Sequence, residues 1–190
     1  MIEFFSAALQ ELPTLPLEGT AFRATQSRFL ETPLSAVGSI LTGGRYNPKG
    51  LFEVLYLAEN PDTTLREVGF GSSVQAKFAA QPLNPYLLLS VRFKLQRITD
   101  ISQPPHWATL KTNRDQLTAS WREVQAKGEV PPTQALGIAA KGLGLEALLV
   151  LSATDGKTNL AVFPDNLLKS SFIEVYDPHG QLRGRLEGHR

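Results

Sequence analysis

An arginine, a tyrosine and a glutamate that could bind a dinucleotide stand close together in one stretch of this chain. Arg45 lies in a glycine-rich loop, residues 43–50, which reads GGRYNPKG. Tyr56 lies in the apolar segment that follows, and Glu67 lies in a segment with helical character. Because glycines allow the backbone to approach a ligand closely, the loop is suited to holding a bound molecule.

The positions that flank this stretch predict a rigid loop–strand–helix unit. Asn60 is a favourable N-cap residue, and Pro61 fits the first position of a helix, where its missing N–H is not needed. These signals predict a helix from Asn60 to Phe70. The three side chains would then be fixed relative to one another.

The pattern resembles the RES family, which provides the toxins of Xre–RES toxin–antitoxin pairs. That family shows a Gly-Gly-Arg-aromatic-Asn-x-x-Gly loop, a Leu-Tyr-Leu strand and a helix that carries a glutamate. Arg45, Tyr56 and Glu67 fall on those positions. The family's serine, near the end of a late apolar strand, corresponds to Ser152, and the resemblance extends from about Phe22 to Pro178.

The resemblance implies one RES-type domain over residues 1–190, with a helical extension at 1–18 and a tail at 179–190 that could be frayed. It implies an α+β fold like that of ADP-ribosyltransferases, with split antiparallel β-sheets and flanking helices. It also implies a toxin restrained by an Xre-family antitoxin, and it leaves open a homodimer or a hetero-oligomer with that antitoxin.

The reaction implied is cleavage of the bond between nicotinamide and ribose in NAD, which is a substrate and not a cofactor. Nicotinamide leaves as a neutral molecule, so the main demand is a negative charge near the oxocarbenium-like ribose. Glu67 would supply that charge. Arginine binds phosphate groups bidentately, which makes Arg45 the first candidate for the diphosphate and Arg23 the second.

The remaining candidates would orient the substrate. Tyr56 or Tyr46 could stack against the nicotinamide ring, although the family often has tryptophan at the second position. Ser152 could donate a hydrogen bond to the carboxamide or to the acceptor. The resemblance adds Asn47 and Asn159 to the substrate-binding set, and a structural role fits Asn159 equally well.

The acceptor of the ADP-ribosyl group stays open at this point. Inorganic phosphate is the leading candidate, and a corner formed by Arg23, Lys49 and loop amides would favour it. Transfer of ADP-ribose to a cellular protein and hydrolysis by water are the rival reactions. A module that only binds a nucleotide or a partner is the rival from another class.

Composition excludes several other classes of function. The chain has 190 residues, 42% hydrophobic and 19% charged, which is typical of a globular domain. Its net charge of +1 gives no general attraction to nucleic acid or membranes. It has no cysteine, and His106, His179 and His189 lack metal-ligand spacing, so we expect no metal site. The start of the chain lacks the features of a secretory signal, so the expected location is the cytoplasm.

Hydrophobic periodicity predicts a mixture of helices and strands with mainly antiparallel pairing. Residues 26–44 show little periodicity and are expected to form a long loop. The predicted helices are Ile2–Leu12, Asn113–Lys127 and Gln134–Lys141, the last capped by Thr133. The predicted strands are Ala21–Arg23, within the segment Gly19–Thr25, and Val54–Leu57, Tyr86–Gln96, Ala147–Leu151, Asn159–Phe163 and Phe172–Tyr176.

Overall fold

The computed structural model describes residues 1–67 and 85–190, so the predicted end of the helix at Phe70 lies outside the described residues. The helices in that part of the chain are α1 (Ile2–Gln10), α2 (Val37–Thr42), α3 (Pro61–Glu67), α4 (Pro104–Thr109), α5 (Arg114–Thr118), α6 (Trp121–Ala126) and α7 (Pro132–Gly142). The strands are β1 (Thr14–Gln26), β2 (Leu55–Ala58), β3 (Tyr86–Asp100), β4 (Ala147–Leu151), β5 (Thr158–Val162), β6 (Phe172–Val175) and β7 (Arg185–Glu187). Short 3-10 helices cover Ser27–Phe29 and Pro164–Asn166.

The described strands form one sheet in the order β1-β2-β5-β4-β3-β6-β7, and β1 pairs in addition with β3. All of these pairings are antiparallel except that of β3 with β4. Phe22 of β1 pairs with Ala58 on one side and Ser90 on the other, so β1, β2, β5, β4 and β3 close into a ring. The predicted α+β class with mainly antiparallel pairing is confirmed.

The inner face of the closed sheet forms the first of two hydrophobic cores. Successive side chains of a strand point to opposite faces, so alternate residues of each strand meet here. The strands β2, β4 and β5 face β1, β3 and β6 across this core. Its members include Leu55, Leu57, Ala147, Leu160, Val162, Val91, Phe93, Leu95 and Ile173.

The outer face of β2, β5 and β4 is covered by helices and forms the second core. Leu148 and Val150 of β4 pack there with Leu9 of α1 and Leu136 of α7. Tyr56 of β2 lies on this face and is partly buried against the same cluster. The loop of residues 43–50 therefore lies on the same face of β2 as Tyr56.

Three predicted elements differ from the structure. The helix predicted for 113–127 is broken into α5 and α6, because Ala119 adopts an extended conformation and Ser120 caps a new helix. Residues 26–44 contain α2 and a 3-10 turn and are not one long loop. Thr133 does not cap α7; that helix begins at Pro132, and Thr133 is buried within it.

The last dozen residues include a strand that the sequence did not predict. Arg185–Glu187 pairs with β6 as β7, although residues 179–190 read as a frayed tail. Arg185 contacts both Glu174 and Glu187 in ion pairs, which accounts for the charged composition of this segment. Among the residues that the structure describes, no helix has the length and apolar character needed to cross a membrane.

Candidate active site

A cleft of about 640 Å³ lies where the loop of residues 43–50, α2, β2, α3, the end of β4 and the start of α6 meet. This volume is within the range of roughly 300–1,000 Å³ that is typical of ligand sites. The lining includes six of the residues singled out in the sequence, namely Arg23, Arg45, Tyr46, Tyr56, Glu67 and Asn159. Residues from five elements, namely β1, the loop of residues 43–50, β2, α3 and β5, therefore share one cleft.

Glu67 is held by two hydrogen bonds to a single carboxylate oxygen. Its Oε1 accepts a hydrogen bond of 2.7 Å from Ser152 Oγ and one of 3.1 Å from Asn159 Nδ2. Ser152 is buried at the end of β4, where its Oγ also accepts a hydrogen bond from the Thr154 backbone N–H. Within residues 1–67 and 85–190, Oε2 of Glu67 has no hydrogen-bond partner, so that oxygen is available to a ligand.

The helix that carries Glu67 is fixed at its other end as the sequence predicts. Asn60 Oδ1 accepts a hydrogen bond of 2.9 Å from the Thr63 backbone N–H, which is the expected N-cap. The Thr63 hydroxyl donates a bond of 2.6 Å to Asp155 Oδ2 in the turn between β4 and β5. Burial alone would raise the pKa of Asp155, but hydrogen bonds from Thr63 and Lys157 outweigh it and hold that pKa below its usual value. Helix α3 is thereby tied to the turn that follows Ser152.

Arg45 is anchored by backbone carbonyl groups. Its Nη1 donates hydrogen bonds of 3.1 Å to the Leu117 carbonyl and 2.6 Å to the Ala119 carbonyl, at the end of α5. Arg45 has no ion pair among the described residues. Its positive charge is therefore positioned by neutral groups, and its remaining N–H donors can serve an anion in the cleft.

Arg23 on β1 is a second arginine without a carboxylate partner in the described part of the chain. Its Nη2 donates a hydrogen bond of 2.8 Å to the Ser35 carbonyl, while Nε is buried and has no partner. Burial lowers the pKa of Arg23 to about 10, so the side chain still carries its charge at neutral pH. A partly desolvated cation of this kind is suited to binding an anion.

Tyr56 holds the glycine-rich loop in place. Its hydroxyl accepts a hydrogen bond of 2.9 Å from the Tyr46 backbone N–H and donates one of 3.0 Å to Asn47 Oδ1. Burial raises the pKa of Tyr56, so the hydroxyl stays neutral and keeps its donor. A Cβ atom at Gly44 would lie 2.6 Å from that hydroxyl oxygen, which explains why glycine is needed there.

Two of the predicted substrate-binding residues lie in the protein interior instead. Tyr46 is 1% exposed and belongs to the core beneath the loop, so its ring cannot stack against a ligand in the cleft. Asn47 is fully buried, and its Nδ2 donates to the Ser39 and Phe52 carbonyls. These residues shape the loop that presents Arg45, a role that their local sequence did not reveal.

The expected anion-binding corner is also changed. Lys49 is exposed and does not line the cleft, whereas Arg122 does. In the described residues, the charged side chains that line the cleft are those of Arg23, Arg45, Arg122 and Glu67. The site therefore combines three cations with one carboxylate.

Sequence patterns missed two aromatic residues of the cleft, Phe29 and Trp121. The helical periodicity places Trp121 on the same buried stripe as Leu117, but the break at Ala119 turns the indole ring toward the cleft. Across residues 1–67 and 85–190, no group of histidine, cysteine, aspartate and glutamate side chains could hold a metal ion.

Comparisons with known proteins identify the fold and the family of the chain. A search of curated proteins found no match to this sequence. Among solved structures, the chain is similar to one in the crystal structure of the M. tuberculosis MbcT–MbcA toxin–antitoxin complex, with 23% identity and a TM-score of 0.62. The match covers 84% of this chain and 81% of that one, which shows that the fold is shared. Because the family model for the RES domain matches residues 20–183, which is most of its length, the chain belongs to the RES domain family.

Proposed function

We propose that this protein is the toxin of a toxin–antitoxin pair and that it depletes NAD by cleaving the nicotinamide–ribose bond, with inorganic phosphate as the acceptor. The observation that carries the proposal is the composition of one cleft. Two arginines without carboxylate partners in the described residues, Arg23 and Arg45, line it together with Glu67.

The arginines fit the diphosphate of a dinucleotide. Arg45 is positioned by two carbonyl groups, so it needs little reorganisation to bind a phosphate oxygen. The Nε atom of Arg23 is buried and lacks a partner, so an anion that bound there would relieve an unsatisfied donor. Both features favour a ligand with at least two negative charges.

Glu67 fits the demand of the bond-breaking step. As the C–N bond breaks, positive charge develops on the ribose, and a carboxylate next to it lowers the barrier. The hydrogen bonds from Ser152 and Asn159 fix one oxygen of Glu67, and the other oxygen has no hydrogen-bond partner in the described part of the chain. Ser152 therefore acts on Glu67 as a positioning residue, in place of the expected contact with the carboxamide.

The charge of the cleft favours phosphate over water as acceptor. Three arginines against one carboxylate give the lining of the cleft an excess of positive charge, which favours entry of a phosphate anion in addition to the dinucleotide. In the proposed reaction the C–N bond to nicotinamide breaks and a C–O bond to phosphate forms. The products are neutral nicotinamide and ADP-ribose that carries the phosphate on the same ribose carbon.

The proposed partner is an Xre-family antitoxin, and the proposed location is the cytoplasm. Support comes from the family and from the similar M. tuberculosis chain, which was crystallised in a toxin–antitoxin complex. Binding of such a partner over the cleft would prevent access of NAD.

The purified protein, incubated with NAD in the presence and absence of phosphate, tests the reaction. We expect nicotinamide release that depends on phosphate, together with a phosphorylated ADP-ribose product. Free ADP-ribose would indicate hydrolysis, and a labelled protein band would indicate transfer to a protein. Binding of NAD without any nicotinamide release would indicate the binding module and would contradict the proposal.

Glu67→Gln is the variant that tests the site, because it preserves the shape and hydrogen bonding of the side chain but removes the charge. Loss of one such electrostatic contribution lowers kcat by about 100- to 1,000-fold. Glu129→Gln is the matched control, since Glu129 is exposed and does not line the cleft. Normal turnover in Glu67→Gln would refute the assignment.

A further inference from the structure

The two tryptophans of the described residues differ sharply in what surrounds them. Trp107 packs against the helix-covered core, and its Nε1 donates a hydrogen bond of 3.0 Å to the Ile101 carbonyl. Trp121 belongs to neither hydrophobic core of the described residues, and its indole N–H has no hydrogen-bond partner there. It is half-buried and lines the cleft. A large aromatic side chain that the fold does not use for packing is available to a ligand.

The surroundings of Trp121 fix which part of the cleft it serves. It is the first residue of α6, two positions after Ala119, whose carbonyl anchors Arg45. The guanidinium of Arg122 lies 4.3 Å from the centre of the indole ring, so a ligand would use the other face. Glu67 and Ser152, in contrast, belong to α3 and β4.

The other aromatic residues that line the cleft are placed differently. Tyr46 is buried in the core, Tyr56 is half-buried with its hydroxyl engaged by the loop, and Phe29 is exposed on the 3-10 turn after β1, an element that does not anchor Arg45. A heteroaromatic ring that lay beside the anchor of Arg45 would therefore find its face at Trp121. Stacking of a nucleobase on such a ring is a common source of affinity.

Given the proposed cleavage of NAD, we infer that Trp121 is a specificity-determining residue that stacks on the adenine ring of the dinucleotide. In NAD the adenosine lies on the far side of the diphosphate from the ribose that is cleaved. Glu67 marks the position of the cleaved ribose, and Arg45 marks that of the diphosphate. Trp121 lies two positions after Ala119, which anchors Arg45, and on a different element from Glu67 and Ser152. It is therefore placed to meet the adenine.

Fluorescence titration tests this contact directly, with Trp107 as an internal reference. ADP-ribose, which keeps the adenine and the diphosphate, should quench the tryptophan emission of the wild-type protein. The same titration should leave Trp121→Phe, whose remaining tryptophan is Trp107, unchanged. Nicotinamide mononucleotide, which lacks adenine, should quench neither protein. Absence of quenching by ADP-ribose, equal quenching in Trp121→Phe, or quenching by nicotinamide mononucleotide alone would each overturn the assignment.

Kinetics of nicotinamide release provide the second measurement. Trp121→Ala should raise the KM for NAD about tenfold with kcat within about twofold of wild type, because the stacking contact is lost. Trp121→Phe, which keeps an aromatic face, should lie close to wild type. An unchanged KM in a folded Trp121→Ala would overturn the role of Trp121 while the cleavage of NAD still stood.

The result that refutes the proposed cleavage of NAD differs from the result that refutes the contact of Trp121 with adenine. A wild-type protein that releases no nicotinamide would refute the cleavage of NAD, and the ADP-ribose titration would still decide whether Trp121 contacts adenine. Circular dichroism and thermal melting show whether Trp121→Ala is folded. If that variant does not fold, the comparison of wild type with Trp121→Phe in the titration decides the outcome.

Discussion

Replacement of Tyr56 by phenylalanine removes one oxygen atom from the base of the glycine-rich loop. The ring is retained, so packing against the helix-covered core changes little. The lost hydroxyl accepts a hydrogen bond of 2.9 Å from the Tyr46 N–H and donates one of 3.0 Å to Asn47 Oδ1. Both partners belong to residues that are buried, with exposures of 1% and 0%. The variant therefore tests whether the hydroxyl supports the loop.

The expected loss of stability follows from the two partners that are left unsatisfied. A buried polar group without its partner is destabilising by about 1–3 kcal/mol, so Tyr56→Phe should lower the free energy of unfolding by about 2–4 kcal/mol. For a domain of this size, the loss corresponds to a decrease in Tm on the order of 5–15 °C.

Urea unfolding and thermal melting, followed by circular dichroism, measure the effect. Tyr176→Phe is the matched control, because Tyr176 is 51% exposed, and it should match wild type within about 0.5 kcal/mol. A Tyr56→Phe variant as stable as this control would refute the claim that the hydroxyl holds the loop. The hydroxyl would then be free to contact a ligand in the cleft.

Two further variants test the role of Arg23 in the cleft and the hydrogen bond that ties α3 to Asp155. Arg23→Met should raise the free energy of unfolding by about 1–2 kcal/mol, because burial disfavours the charged form of Arg23, and it should raise the KM for NAD, because a cation is lost from the diphosphate site; a less stable variant, measured by urea unfolding, would contradict this. Thr63→Val should be destabilised at neutral pH through loss of its hydrogen bond to Asp155. The folded-state pKa of Asp155 lies below the ordinary value of 3.8. The stabilisation by the Thr63–Asp155 hydrogen bond is therefore fully present above pH 3.8 and is lost as the pH falls through the folded-state pKa. The difference in Tm between wild type and Thr63→Val should therefore shrink in acid, and a difference that does not depend on pH would refute the role of the Asp155 carboxylate.

Local sequence signals were sufficient for the framework of the fold. The N-cap at Asn60 needs only a side chain three residues from the N–H that it binds, so its geometry follows from the sequence. The alternation along β3 and the hairpin of β4 and β5 depend in the same way on neighbours along the chain. The loop motif of residues 43–50 was enough to indicate the family and to select Arg45.

Periodicity could not predict the break between α5 and α6. Leu117, Trp121 and Val124 have the spacing of one helical stripe, which predicts a single helix with all three buried. In the structure Leu117 is 1% exposed in the core, while Ala119 is extended and its carbonyl binds Arg45. The partner that stabilises this break is 74 residues away in sequence, so no local pattern contains it.

The sequence by itself determined which residue types were available, namely the arginines, the carboxylate and the aromatic rings of the candidate site. Tertiary structure alone decided their roles: Tyr46 lies in the core, Trp121 lines the cleft, and Ser152 and Asn159 both bind one oxygen of Glu67. The physical reason is that spacing along a strand or helix fixes the face on which a side chain lies. The neighbours on that face come from distant parts of the chain, and they are set only when the sheet closes and the helices pack.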